Sequence, residues 1–160
     1  MRAIISALIV CAMLNGCATA YTGPQPDFSQ TGPDAIVEYK KFELGNSYGA
    51  VNTHSVEMNN QPYFTETVEP IINQVSPTST ATLKTMRIAH YVSLGFLVAT
   101  LATIFAPQDS WAHQTGYWIG LGGILASGIY VNVSGMRAAR EFNNDLKSKF
   151  TPALALSKTF

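Results

Sequence analysis

Two long uncharged hydrophobic stretches lie close together in this sequence, and they restrict the fold more than any other feature. Residues 88–106 are 19 positions without a formal charge; fourteen are apolar, and the others are His90, Ser93, Gly95, Thr100 and Thr103. Residues 117–134 add 18 more, again uncharged and rich in Gly. At about 1.5 Å per helical residue, each stretch comes close to the ~30 Å hydrocarbon core of a bilayer. A short polar connection carrying Pro107, Asp109, Ser110, His113 and Gln114 separates them. Trp111, Tyr117 and Trp118 gather at that end, as amphipathic rings do at a membrane–water boundary. The pattern predicts a two-helix transmembrane hairpin in a mainly α membrane protein. A buried helical pair in a soluble domain is the competing reading, but the remaining chain is too small to wrap two such helices.

The composition points the same way. Of 160 residues, 47% are hydrophobic and 12% are charged, against about a quarter charged in an ordinary soluble domain. Ten Lys and Arg balance ten Asp and Glu, which excludes a strongly basic nucleic-acid binder and a long acidic tail.

Helical arithmetic assigns faces to the two stretches. Gly95, Ala99, Ala102 and Ala106 share one side of the first; Gly116, Gly120, Gly123 and Ser127 share one side of the second. Small residues let backbones approach closely in lipid, so these stripes are expected to face each other. Pairing between two chains through the same glycines is the alternative. His90 and Asn132 fall opposite the stripes. They are expected to point apart, toward headgroups or a neighbouring subunit, rather than to form a hydrogen-bonded pair or proton site.

The N-terminus reads as an export signal. Arg2 precedes an apolar run over residues 3–13, which is too short to span a bilayer. The tetrapeptide Leu14-Asn15-Gly16-Cys17 then resembles the lipobox of bacterial lipoproteins. That resemblance implies a cut before Cys17, a diacylglycerol on its thiol and an acylated new amino group. An ordinary signal peptide cut after Ala18 or Ala20 is the other reading. Cys11 would leave with the signal, so neither a disulfide nor a zinc set is expected. Residue 18 is Ala and not Asp, which in the lipoprotein sorting pattern implies the outer membrane.

Five segments follow from these signals: a lipoprotein signal peptide (1–16), a flexible tether rich in Gly and Pro (17–33), a small α+β periplasmic head (34–78), the transmembrane hairpin (79–136), and an amphipathic helix with tail (137–160). In the head, residues 34–44 and 48–58 are expected as strands joined by a turn at Gly45-Asn46-Ser47, with a second turn at Asn59-Asn60-Gln61-Pro62. A helix capped by Thr67 should follow, with Val68, Ile71, Ile72 and Val75 on one face. It closes over the strands or lies on a membrane surface. Ser76-Pro77 ends it, and Ser79 or Thr80 starts the next helix. Near the C-terminus, Ala139, Phe142, Leu146 and Phe150 line one side of a helix that Thr151-Pro152 should break.

Charge fixes a topology. Lys84, Arg87, Arg137, Arg140, Lys147 and Lys149 flank the hairpin's open end, while the loop carries only Asp109. The positive-inside rule would place that end in the cytoplasm, whereas a lipobox places the chain outside it. A hairpin entering the outer membrane from the periplasm satisfies both the lipobox and the charge distribution.

The whole order, ending in Ala138-Ala139-Arg140-Glu141-Phe142-Asn143, is similar to a broad group of small uncharacterised bacterial envelope proteins with a Gly/Ala-rich hairpin. Their helix after the hairpin carries an Ala-x-x-(Tyr/Phe)-Asn pattern, matched here by Ala139, Phe142 and Asn143. That resemblance implies membrane placement and no activity. No phosphate-binding loop, His-Glu-x-x-His or Gly-x-Ser-x-Gly is present, and His54, His90 and His113 are dispersed. The expectation is a non-enzymatic, lipid-anchored envelope protein without cofactor or metal. It would contact membrane lipids and a protein partner or further copies of itself, either as a structural or assembly subunit or as a lipid or small-molecule binder.

Overall fold

Asn59 and Asn60 both adopt positive φ, 53° and 59°. This is the left-handed pair that a two-residue hairpin turn requires and that Asn tolerates better than most side chains. They join β1 (Ser55–Met58) to β2 (Gln61–Phe64) in an antiparallel pair, with Val56 opposite Tyr63 and Met58 opposite Gln61. The computed structural model describes residues 18–29, 37, 39–45 and 55–157. The signal segment, Cys17, most of residues 34–38 and residues 46–54 lie outside them.

The hairpin sits one element later than the sequence suggested. Gln61 and Pro62, expected in the turn, belong to β2. The described end of the anticipated first strand is a single helical turn, Lys40–Phe42. Its aromatic residues explain the change. Tyr39 and Phe42 both pack on Phe28, at ring separations of 5.2 and 5.9 Å, and the Tyr39 hydroxyl donates to Asp27 O. Alternation along a strand would separate those rings. Among the described residues of that segment, Leu44 alone keeps strand character, bridging Met58, with Gly45 N donating to Glu57 O at 2.8 Å.

Among the described residues, three α-helices follow the sheet. Helix α1 (Thr65–Val75) starts two residues before the expected cap; Thr67 instead returns its hydroxyl to Phe64 O. Val68, Ile71 and Ile72 are fully buried, so α1 is a core helix with its apolar face turned into the head. Ser76 ends it and caps α2 (Pro77–Ile104), its Oγ accepting from Ser79 N, with Pro77 in the first turn. The next helix therefore begins earlier than Ser79. Helix α3 (Tyr117–Ser157) follows a wide turn at Ala112–Gly116 and returns antiparallel to α2. It runs through Pro152 and does not show the break expected there; proline costs an interior helix one N–H donor but does not by itself end it. At 41 residues, α3 is about 60 Å long.

The core lies where the sheet, α1 and the open end of the long hairpin meet. Val56 and Met58 share one buried cluster with Ile72, Met86 and Phe142, and Ala138 and Ala139 belong to it where Ser79 Oγ donates to Ala138 O. Phe28 belongs to this core at 4% exposure. Parts of the segment expected as a tether therefore pack: besides Phe28, Thr19 pairs in parallel with Tyr63, donating its N–H to Pro62 O and accepting from Phe64 N.

Candidate functional site

The hairpin is the part of the molecule with an unusual surface. Both α2 and the stretch Ala112–Lys149 contain a window long and apolar enough to cross a membrane, and only 17% and 33% of those windows is buried. Ile88, Val98, Leu125 and Ile129 are each more than 60% exposed. A core helix of a soluble domain would bury such a face.

The seam between the helices reverses that distribution. On α3 the anticipated stripe is used. A Cβ on Gly120 would overlap the Thr100 hydroxyl, one on Gly123 would come within 2.5 Å of the Phe96 ring, and one on Gly116 would just touch Thr103. Ser127 is half-buried and returns its hydroxyl to Gly123 O at 2.6 Å.

On α2 the expected stripe is not used. Gly95 has nothing within 4 Å of where a Cβ would stand, and Ala99 and Ala102 are exposed. Ser93, Phe96, Thr100 and Thr103 face α3 in their place. The reason is local. Thr100 and Thr103 return their hydroxyls to Phe96 O and Thr100 O, at 2.6 and 2.7 Å, so their polarity is satisfied within α2. Each then packs as a small side chain, and Gly120 opposite gives Thr100 the room it needs.

The same rotation relocates His90. It is 4% exposed and precedes Ser93 by three residues on the seam side, so it does not turn outward. Asn132 does turn away. Its Nδ2 donates to Gly128 O, and with Ile124, Leu125, Ile129 and Val133 it lines a shallow groove of about 300 Å³ on α3.

At the closed end, Phe105, Trp111 and Trp118 are exposed, by 89%, 68% and 56%. Ser110 donates its hydroxyl to Pro107 O, and the His113 ring nitrogen Nδ1 lies 3.2 Å from Thr103 O. Because a carbonyl only accepts, that contact holds the imidazole as a donor.

At the open end the apolar surface gives way to an ionic collar. Lys84 meets Glu69 at 2.9 Å, and Arg87 lies 3.5 Å from Glu66 and 3.6 Å from Glu69. Arg137 Nε donates to Glu141, which also accepts from Thr82. That hydrogen bond raises the Arg137 pKa above the usual guanidinium value. These pairs are partly solvent-exposed and add little stability; those of Lys84 and Arg87 tie α1 to α2 where the uncharged stretch begins.

The sequence did not foretell the polar clamp above the collar. Leu44 N donates to Asn143 Oδ1 and Asn143 Nδ2 donates to Leu44 O. The signal was the Ala139-x-x-Phe142-Asn143 pattern, whose Ala and Phe are core and whose Asn is this clamp. Tyr21, in the segment along β2, donates its N–H to Thr67 and packs edge-on against Tyr63, 5.3 Å away. Burial, and then the neighbouring Tyr63, push its phenol pKa up. Among the described residues no group of His, Cys, Asp or Glu could hold a metal.

No family model matches the chain, and no curated protein or solved structure shows significant similarity to it.

Proposed function

We propose that this chain is a lipid-anchored membrane protein of the bacterial envelope, a structural or assembly subunit whose small head docks a protein partner. The observation that carries this reading is the inverted hairpin, with hydroxyls and glycines in the seam and large apolar side chains outward. Lipid satisfies that outward face and water does not, at roughly 25 cal/mol for each Å² of apolar surface left wet. The lipobox at Cys17 supplies the acyl anchor. The collar then sits at the periplasmic surface of the outer membrane and the Trp111–Trp118 end reaches the opposite interface.

Palmitate labelling combined with alkaline extraction of membranes tests the reading. Wild type is expected to incorporate label and to stay in the membrane pellet; Cys17→Ala is expected to lose the label and to stay in the pellet through its hairpin. An unlabelled wild type released without detergent overturns the reading. Crosslinking in cells is expected to yield a stable protein partner.

A second reading, a lipid binder, draws on the groove around Gly128 and Asn132, whose apolar lining suits an acyl chain. A co-purifying lipid of defined head group, lost in Gly128→Leu, would favour it.

A further inference from the structure

The segment following Cys17 is bonded too closely to the head to act as a leash. Thr19 makes two backbone hydrogen bonds with β2, at 3.1 Å to Pro62 O and 3.0 Å from Phe64 N. Two residues on, Tyr21 N donates to Thr67 Oγ1 at 3.0 Å and its ring meets Tyr63. This is strand addition by the chain's own N-terminal segment. Only Ala18 separates Thr19 from Cys17 in the sequence, and two residues of chain reach at most about 7 Å.

That fixed point lies at the membrane end of the head. Arg87 is the last charge before the uncharged stretch 88–106, and it pairs with Glu66 and Glu69 in the first half of α1. The start of α1, and Phe64 just before it, therefore lie level with the start of the apolar surface. Phe64 is 38% exposed there. The far end of the sheet is placed by the Leu44 clamp: Leu44 pairs with Met58 and is held by Asn143. Asn143 is nine residues beyond Ser134 along α3, about 13 Å further from the hydrocarbon. The Asn59-Asn60 turn is at that distal end, so β2 descends toward the bilayer.

We infer that residues 18–21 form a clasp, so that an acylated Cys17 and the hairpin enter one leaflet side by side, with the Tyr21–Phe64–Thr67 corner of the head against phospholipid headgroups. This rests on the lipid-anchored reading above and adds to it a surface and a geometry. The head has two adjoining membrane attachments, and neither lets it swing free.

Labels at two sites test it, in full-length acylated protein reconstituted in phosphatidylethanolamine–phosphatidylglycerol vesicles. A nitroxide on Ala20→Cys is expected to give a slow, ordered spectrum. A fluorophore on Phe64→Cys is expected to be quenched by headgroup-level quencher lipids at least threefold more than one on Asn60→Cys. Thr19→Pro, which removes the N–H bonded to Pro62 O, is expected to mobilise the Ala20 label while leaving the helices intact by circular dichroism. A freely tumbling Ala20 label in the otherwise wild-type chain shows a leash and overturns the clasp. Equal quenching at positions 64 and 60 overturns the headgroup contact. Mass spectrometry of the same sample reports acylation. An unacylated chain removes the parent reading and this proposal with it, whereas an acylated chain with a mobile label refutes the clasp alone.

Discussion

The side-chain amide of Asn143 pairs with both backbone groups of Leu44, 99 residues earlier in the chain, accepting from its N–H at 2.9 Å and donating to its carbonyl at 2.8 Å. On its other side Leu44 pairs with β1 through Met58. The amide thus completes the edge of the sheet as another strand would, and it fastens α3 to the sheet. Asn143→Ala is expected to leave both groups of Leu44 unpaired and to cost roughly 1–3 kcal/mol. Asn143→Asp keeps the acceptor and loses the donor, so it should not restore the wild-type value. Urea-dependent pulse proteolysis of the detergent-solubilised protein measures both.

The seam predicts opposite fates for two glycines. Gly120→Leu is expected to force the helices apart at Thr100, at a cost of about 1–3 kcal/mol or more for overpacking a close contact. Gly95→Leu should be nearly neutral, because nothing stands within 4 Å of the new Cβ. Detergent-induced unfolding of the two variants, compared with wild type, reads the difference. Equal losses would mean that the α2 stripe is packed after all.

Phe142 is 0% exposed at the centre of the head core. Phe142→Ala is expected to destabilise the head by about 3–5 kcal/mol, through lost transfer energy and the cavity left behind. Thermal denaturation followed by near-ultraviolet circular dichroism should show an early transition.

The outward face makes a graded prediction for insertion. A lysine at Val98, mid-helix and 67% exposed, is expected to disfavour membrane insertion by about 2.5–3.5 kcal/mol. Thr85→Lys, exposed on the same helix before the uncharged stretch, should cost little. The fraction of each variant resisting alkaline extraction distinguishes them.

Tyr21 gives a pH dependence. Its pKa is raised in the folded chain, chiefly by burial, so the folded state holds the proton more tightly than the unfolded one. Its contribution is complete below the ordinary phenol value and is lost as pH rises through the folded value. The N-terminal segment should therefore loosen only in strong alkali, and Tyr21→Phe should abolish that step while losing the hydroxyl's bond to Pro24 O. Amide exchange at Thr19 and Tyr21 across pH 9–11.5 follows it.

Much of the helical scaffold was legible in periodicity and hydropathy. The burial of Val68, Ile71 and Ile72 follows from their spacing, and the two long helices from the absence of charge over 88–106 and 117–134. The sheet was misread because strand composition near Tyr39 and Phe42 serves an aromatic cluster on Phe28, a contact that strand alternation does not encode. The seam was half legible. Glycines declare themselves by size, but Thr100 and Thr103 look polar until their hydroxyls are seen returning to their own helix. The Ala139-x-x-Phe142-Asn143 pattern marked Asn143, but its partner Leu44 was not legible, because side-chain pairing across 99 positions leaves no periodic trace.

Helix α3 carries the seam glycines on its first half and the core residues Ala139, Phe142 and Leu146 on its second, with no interruption between them. A force applied to the head is therefore transmitted along one rod to the Trp118 end. If a partner gripped the head it would also set the tilt of the hairpin, and a change of tilt would reach that partner as a rotation of the surface it holds.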